Sequence, residues 1–157
     1  MAFKLVSAGG VAIEAAVLNL PGSGVIKPNS VVIFDVSSNA VSVAATTTAT
    51  GTNIIGVSLD YIQGKNEPTS FVRVIPFVPG QVWEADALNV INTAQLMNRF
   101  RLYDSVTVEN TSYDQSLSIT GVFHCLGISG ASSGSAKVLG TFLKLNRAST
   151  NSTNLYN

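Results

Sequence analysis

Apolar residues in this chain come in short bursts rich in Val and Ile, often alternating with polar residues and separated by Gly, Asn, Ser or Pro. That period of two, with punctuation every few residues, predicts β-strands. Strands are expected at 11–20, 31–36, 54–61, 71–75, 81–85, 105–109, 117–128 and 137–145. Only 93–100 shows helical spacing, with Leu96, Met97 and Phe100 falling on one face. Pro76 cannot donate a ladder hydrogen bond, so its strand must end there, bulge or lie on an edge. Gly121 and Gly127 mark bends of the kind a small barrel needs at its corners. Turns are assigned to Pro21-Gly22-Ser23-Gly24, to 64–68, to Pro79-Gly80 and to 130–134. The Ala/Thr-rich interval 44–52 suits either a strand or a surface loop. No repeat of 20–50 residues is visible. The expected fold is therefore all-β, a small β-barrel or β-sandwich over 1–146. Sub-barrels at 1–80 and 81–146 are an open alternative, and an extended N-terminal arm and a polar tail at 147–157 complete the chain.

Composition sharpens this picture. The chain has 157 residues, with 9 Lys+Arg against 9 Asp+Glu and 46% hydrophobic residues. Charged residues make up 11%, against about 25% in an ordinary soluble protein. So apolar a chain has material for a packed core and does not read as disordered. The balanced charge argues against nucleic-acid binding, which needs a surplus of cations. A lone cysteine, Cys125, offers no internal disulfide. No uninterrupted apolar run is long enough for a signal peptide or a membrane span, so a soluble, cytosol-made protein is expected.

Candidate chemistry is sparse. Gly130-Ala131-Ser132-Ser133-Gly134 has the spacing of a nucleophile elbow, but a strand pattern follows where a helix is needed. The one histidine, His124, lies upstream, and no acid follows Asp114. Adjacent strand residues point to opposite faces, so His124 and Cys125 cannot pair as base and nucleophile and are read as ordinary strand residues. Glu84 and Asp86 would share a strand face, compatible with acid–base work or a hard cation, or with a solvated face pairing with Arg99 or Arg101. Arg99-Phe100-Arg101 is read as a subunit contact or a surface ion pair. The sequons at Asn110 and Asn151 are read as chance matches in an Asn/Ser/Thr-rich chain. No enzyme activity, metal, cofactor or small-molecule substrate is expected.

What remains is the surface. Low net charge with few ions favours association, so much of the exterior is expected to be covered by other subunits. Val25-Ile26-Lys27-Pro28-Asn29-Ser30-Val31-Val32-Ile33-Phe34-Asp35, then an Ala/Thr-rich interval, then Asn53-Ile54-Ile55-Gly56-Val57-Ser58-Leu59-Asp60, resembles the small β-barrel decoration (cement) proteins of tailed-bacteriophage capsids. The closing strand within 135–145 adds to the likeness. The resemblance implies a non-enzymatic virion protein, made in the host cytoplasm, that binds the outside of the major capsid protein lattice as trimers and stabilises the head. Phe3, Leu5 and Val6 on the N-terminal arm are the expected lattice contacts. One alternative is a phage tail, fibre or baseplate component. Another is a carbohydrate-binding β-module, whose aromatic platform would fall to Trp83.

Overall fold

The computed structural model describes residues 3–7, 17–45, 48–63, 70–114, 120–130 and 136–143. The protein is all-β. Its strands are β1 (Lys4–Ser7), β2 (Leu18–Pro21), β3 (Val25–Ile26), β4 (Val31–Asp35), β5 (Ala40–Val43), β6 (Ile54–Ser58) and β7 (Ile62–Gln63). β8 (Phe71–Pro76), β9 (Val82–Ala87), β10 (Arg99–Leu102), β11 (Thr107–Asp114), β12 (Phe123–Ile128) and β13 (Lys137–Phe142) follow.

The C-terminal strands close into a five-stranded barrel in the circular order β9-β13-β12-β10-β11, with β1 added beside β9. One edge of β9 runs along β13, while the other is shared: β1 covers Val82–Glu84 and β11 covers Asp86 and Ala87. Alternation sets the interior, since Trp83, Ala85 and Ala87 point in while Glu84 and Asp86 point out. The N-terminal strands form a curled sheet in the order β2-β8-β6-β4-β5, whose outer strands meet at a parallel bridge from Gly22 to Val41. The short β3–β7 pair brings Ile26 and Ile62 against its concave core.

The two sheets repeat one another strand for strand. Read around the circle, β2, β8, β6, β4 and β5 correspond to β9, β13, β12, β10 and β11, and in both circles only the closing contact is parallel. The registers agree as well. Leu20↔Val72 matches Ala85↔Val138, Gly56↔Pro76 matches Phe123↔Phe142, and Phe34↔Val41 matches Leu102↔Val108. Backbone bonds outside the ladders recur too. Gly22 N–H donates to Ser70 O at 2.8 Å and Ala87 N–H to Ala136 O at 2.6 Å. Phe77 N–H reaches Ile55 O at 2.9 Å and Leu143 N–H reaches Val122 O at 2.8 Å. Just before β4 and β10, Asn29 and Met97 adopt matching left-handed backbones, with φ of 61° and 62°. Their amides donate to Ser58 O at 2.7 Å and to Cys125 O at 2.8 Å.

Apolar packing follows from this arrangement. Val32, Val41, Val72 and Val74 point into the curled sheet's own small core. Val31, Ile33, Val57 and Ile75 point the other way, onto the closed barrel, and join one cluster with Phe77, Trp83, Phe100, Phe123 and Phe142. The largest core therefore runs through both sheets.

Most of the expected strands correspond to observed ones with shifted ends. β8 does end at Pro76, Gly80 takes φ 85° in the turn after Pro79, and Gly127 sits at a register shift in β12. The one candidate helix, at 93–100, does not form. A single 3-10 turn spans Thr93–Gln95, and Leu96 then returns to extended backbone. The reason is tertiary: the ladder to β12 captures the Met97 amide, and Phe100 is needed inside the barrel. The described residues of the 44–52 interval carry turn bonds, Thr48 and Ala49 both donating to Ala45 O, and none of them lies in a strand. Turns expected at 64–68 and 131–134, and strand residues 11–16 and 117–119, lie outside the described residues.

Met97 is 62% exposed, so its side chain contributes little packing to offset a backbone that L residues adopt reluctantly. Met97→Gly should stabilise the protein by about 1 kcal/mol in urea unfolding, and Asn29→Gly by less, because Asn tolerates this region.

Candidate functional site

The N-terminal arm is a strand of its own fold. Phe3 is 1% exposed, with its ring 5.1 Å from Phe142 and 6.2 Å from Phe123. Its amide donates to Asn29 O at 3.2 Å. Leu5 is half-buried against the main core, and Val6 is 53% exposed. Of the three arm residues expected at a lattice contact, only Val6 turns its side chain mainly to solvent.

The residues singled out for chemistry are dispersed. His124 and Cys125 do face opposite ways. His124 Nε2 donates to Met97 O at 3.1 Å, which requires the proton on that nitrogen, while Cys125 is fully buried and burial pushes its thiol pKa up. Trp83 is buried in the barrel, where Phe77 and Phe142 meet its ring edge-on and its indole N–H donates to Gln81 Oε1 at 3.2 Å. It presents no platform to a sugar. Asn110 is buried, its amide nitrogen donating to Asn89 O at 3.0 Å, so the folded chain does not present this sequon. Ser132 and Asn151 lie outside the described residues.

Glu84 and Asp86 do share the outer face of β9, but their cation is Lys137 on the neighbouring β13. Lys137 Nζ lies 3.4 Å from Glu84 Oε1 and 3.8 Å from Asp86 Oδ1. Ser129 donates a hydroxyl hydrogen bond to Glu84 Oε2. The Ser129 bond, opposed by partial burial and aided by Lys137, holds the Glu84 carboxyl below its ordinary range. The arrangement is an ion-paired strand face. Among the described residues no group of three or more His, Cys, Asp or Glu is placed to hold a metal.

Arg99 and Arg101 gain an explanation from the repeated topology. They occupy the outward positions that Val31 and Ile33 hold in the curled sheet, with Phe100 inward where Val32 is. His124 and Thr141 likewise stand where Val57 and Ile75 are. In the curled sheet this face is buried on the barrel; on the barrel the same face carries polar side chains.

Sequence reasoning missed a buried carboxamide network. Gln95 Nε2 donates to Asn110 O at 2.6 Å and Gln95 Oε1 accepts the Asn92 amide at 3.0 Å. Asn98 donates to Ala94 O at 2.8 Å, leaving its buried Oδ1 without a partner. Nothing in the local pattern distinguishes these residues from the many exposed Asn. An open groove of about 700 Å³ is lined by residues including Phe34, Val36, Val43 and Thr48, with Asp35 the one ionisable residue among the described lining. Asp35 is already bonded to Ser37, by the amide at 2.9 Å and the hydroxyl at 2.6 Å. No helix in the described residues is long and apolar enough to cross a membrane.

No family model matches the chain, and neither the curated proteins nor the solved structures contain a detectable relative.

Because the Glu84 pKa is depressed in the folded state, its contribution to stability is present above the ordinary glutamate range and is lost as pH falls through the folded value. Urea unfolding of Glu84→Gln should therefore show lower stability than the parent at pH 7 and a smaller loss on acidification to pH 3.

Proposed function

We propose that the protein is a non-enzymatic structural component of a phage virion, binding the outside of the major capsid protein lattice and strengthening the head. The observation that carries this reading is the character of the exterior. Only 11% of the residues are charged. The surface nonetheless carries Val36, Tyr61, Phe71, Val90 and Tyr103, each at least half exposed. Neutral side chains and apolar spots of this kind suit contacts repeated by symmetry, where many weak interfaces add up through multivalency. The resemblance of 25–80 and 135–145 to capsid decoration proteins points the same way. Trimers are the assembly that the resemblance implies, and the docked state buries surface that a free monomer leaves in water. Val6 on β1 is the arm residue available for such a contact.

The test is to incubate purified protein with undecorated phage capsids of a compatible lattice. Saturable attachment at a fixed ratio to the lattice subunits, with a rise in the temperature at which the capsids rupture, is the expected result. Absence of attachment at any concentration, together with a strictly monomeric protein, would remove the proposal.

A further inference from the structure

The repeat of one strand circle within the chain gives a way to ask what each edge is for. On the closed barrel, the first half of β9 is covered by the arm strand β1, with Lys4 opposite Glu84 and Leu5 opposite Trp83. The matching strand in the curled sheet is β2, in which Leu18 stands where Trp83 does and Asn19 where Glu84 does. Among the described residues nothing pairs with β2 on this side before Gly22.

The phase of the ladder shows what that edge offers. The Gly22 amide bonds to Ser70 O, so in an antiparallel pair Leu20 and Leu18 also bond across to β8. Asn19 and Pro21 then turn their main-chain groups the other way. Pro21, which has no N–H, suits that open side. On the barrel the same phase sends the Glu84 main chain to β1 and that of Asp86 to β11. The side chains tell the same story. Trp83 is 1% exposed, whereas Leu18, pointing inward at the matching position, is 41% exposed.

We infer that the edge of β2 at Leu18 and Asn19 is a strand-docking site for an extended segment of another polypeptide. The segment runs antiparallel to β2, as β1 runs along β9. The chain itself shows the chemistry of the occupant. β1 brings backbone hydrogen bonds, a large apolar anchor in Phe3 and a second apolar residue in Leu5. A foreign segment with the same alternation would pair with the Asn19 backbone and cover Leu18, the main-chain bonds giving affinity and the apolar positions selectivity. Residues 4–7 of this chain do not serve, because they are already placed on β9.

The probe is the capped peptide Phe-Lys-Leu-Val-Ser, the sequence of residues 3–7, added to the intact protein while amide hydrogen exchange is followed by NMR. Asn19 should exchange freely in the dilute protein, and saturating peptide should slow it about tenfold. Asn19→Pro removes the outward donor without touching the β8 ladder. It should keep Leu18 and Leu20 protected and abolish the peptide effect. Four results would overturn the inference: Asn19 already protected in dilute protein; protection on concentrating the protein alone, which would make a second copy the occupant; peptide effects confined to Glu84; or undiminished peptide binding to Asn19→Pro.

Discussion

The contact on which the molecule depends is the burial of one outer face of the curled sheet on the closed barrel. Val31, Ile33, Val57 and Ile75 supply that face. Phe77, just beyond β8, stacks on Phe142 with ring centroids 3.8 Å apart and meets Trp83 edge-on at 5.6 Å. Each large side chain removed from water contributes about 2 kcal/mol, and the aromatic pairs add somewhat more. Without that face, the apolar strands of the first half would present their outer residues to solvent. Phe3 joins the same cluster, and this is why the N-terminal arm is fixed as a strand beside β9.

The same constraint explains how two similar strand circles came to differ. Matched inward positions are apolar in both at the centre of each circle: Val32 corresponds to Phe100, Val41 to Val108 and Val72 to Val138. Outward positions are free to follow their surroundings. They are apolar where the sheet is buried on its neighbour, and Arg99, Arg101, His124 and Thr141 on the barrel, where no second sheet of the described residues packs against them. A repeat array ends in just this manner, with a polar outer face closing off further stacking. The proposed attachment to a capsid lattice therefore draws on other surfaces, those with exposed apolar side chains and neutral polar ones.

Strand positions were largely legible because alternation is a strong signal where one face is buried and the other is not. The 93–100 segment was ambiguous because Leu96, Met97 and Phe100 fit helical spacing. Their backbone is instead recruited by β12, a long-range demand invisible locally. Two sub-barrels at 1–80 and 81–146 were readable as an alternative from strand number alone, but the strand-for-strand repeat was not: the matched left-handed positions, for example, are filled by residues as unlike as Asn29 and Met97. Of the candidate residues, the shared face of Glu84 and Asp86 and the opposed faces of His124 and Cys125 were readable from parity. Lys137 as the acids' partner was not, since it depends on which strand lies beside β9. Phe3 read as a free arm residue because nothing in its own neighbourhood reveals the aromatic pocket made by Phe123 and Phe142.

The central claim is that one apolar cluster joins the two sheets into a single structural unit. Native-state hydrogen exchange across a urea series tests it most directly, by following Val32 and Val72 in the curled sheet alongside Phe100 and Phe123 in the barrel. Convergence of all four amides on one opening free energy and one urea dependence is the predicted result. Persistent protection of Val32 and Val72 after Phe100 and Phe123 have opened, or the reverse, would contradict it.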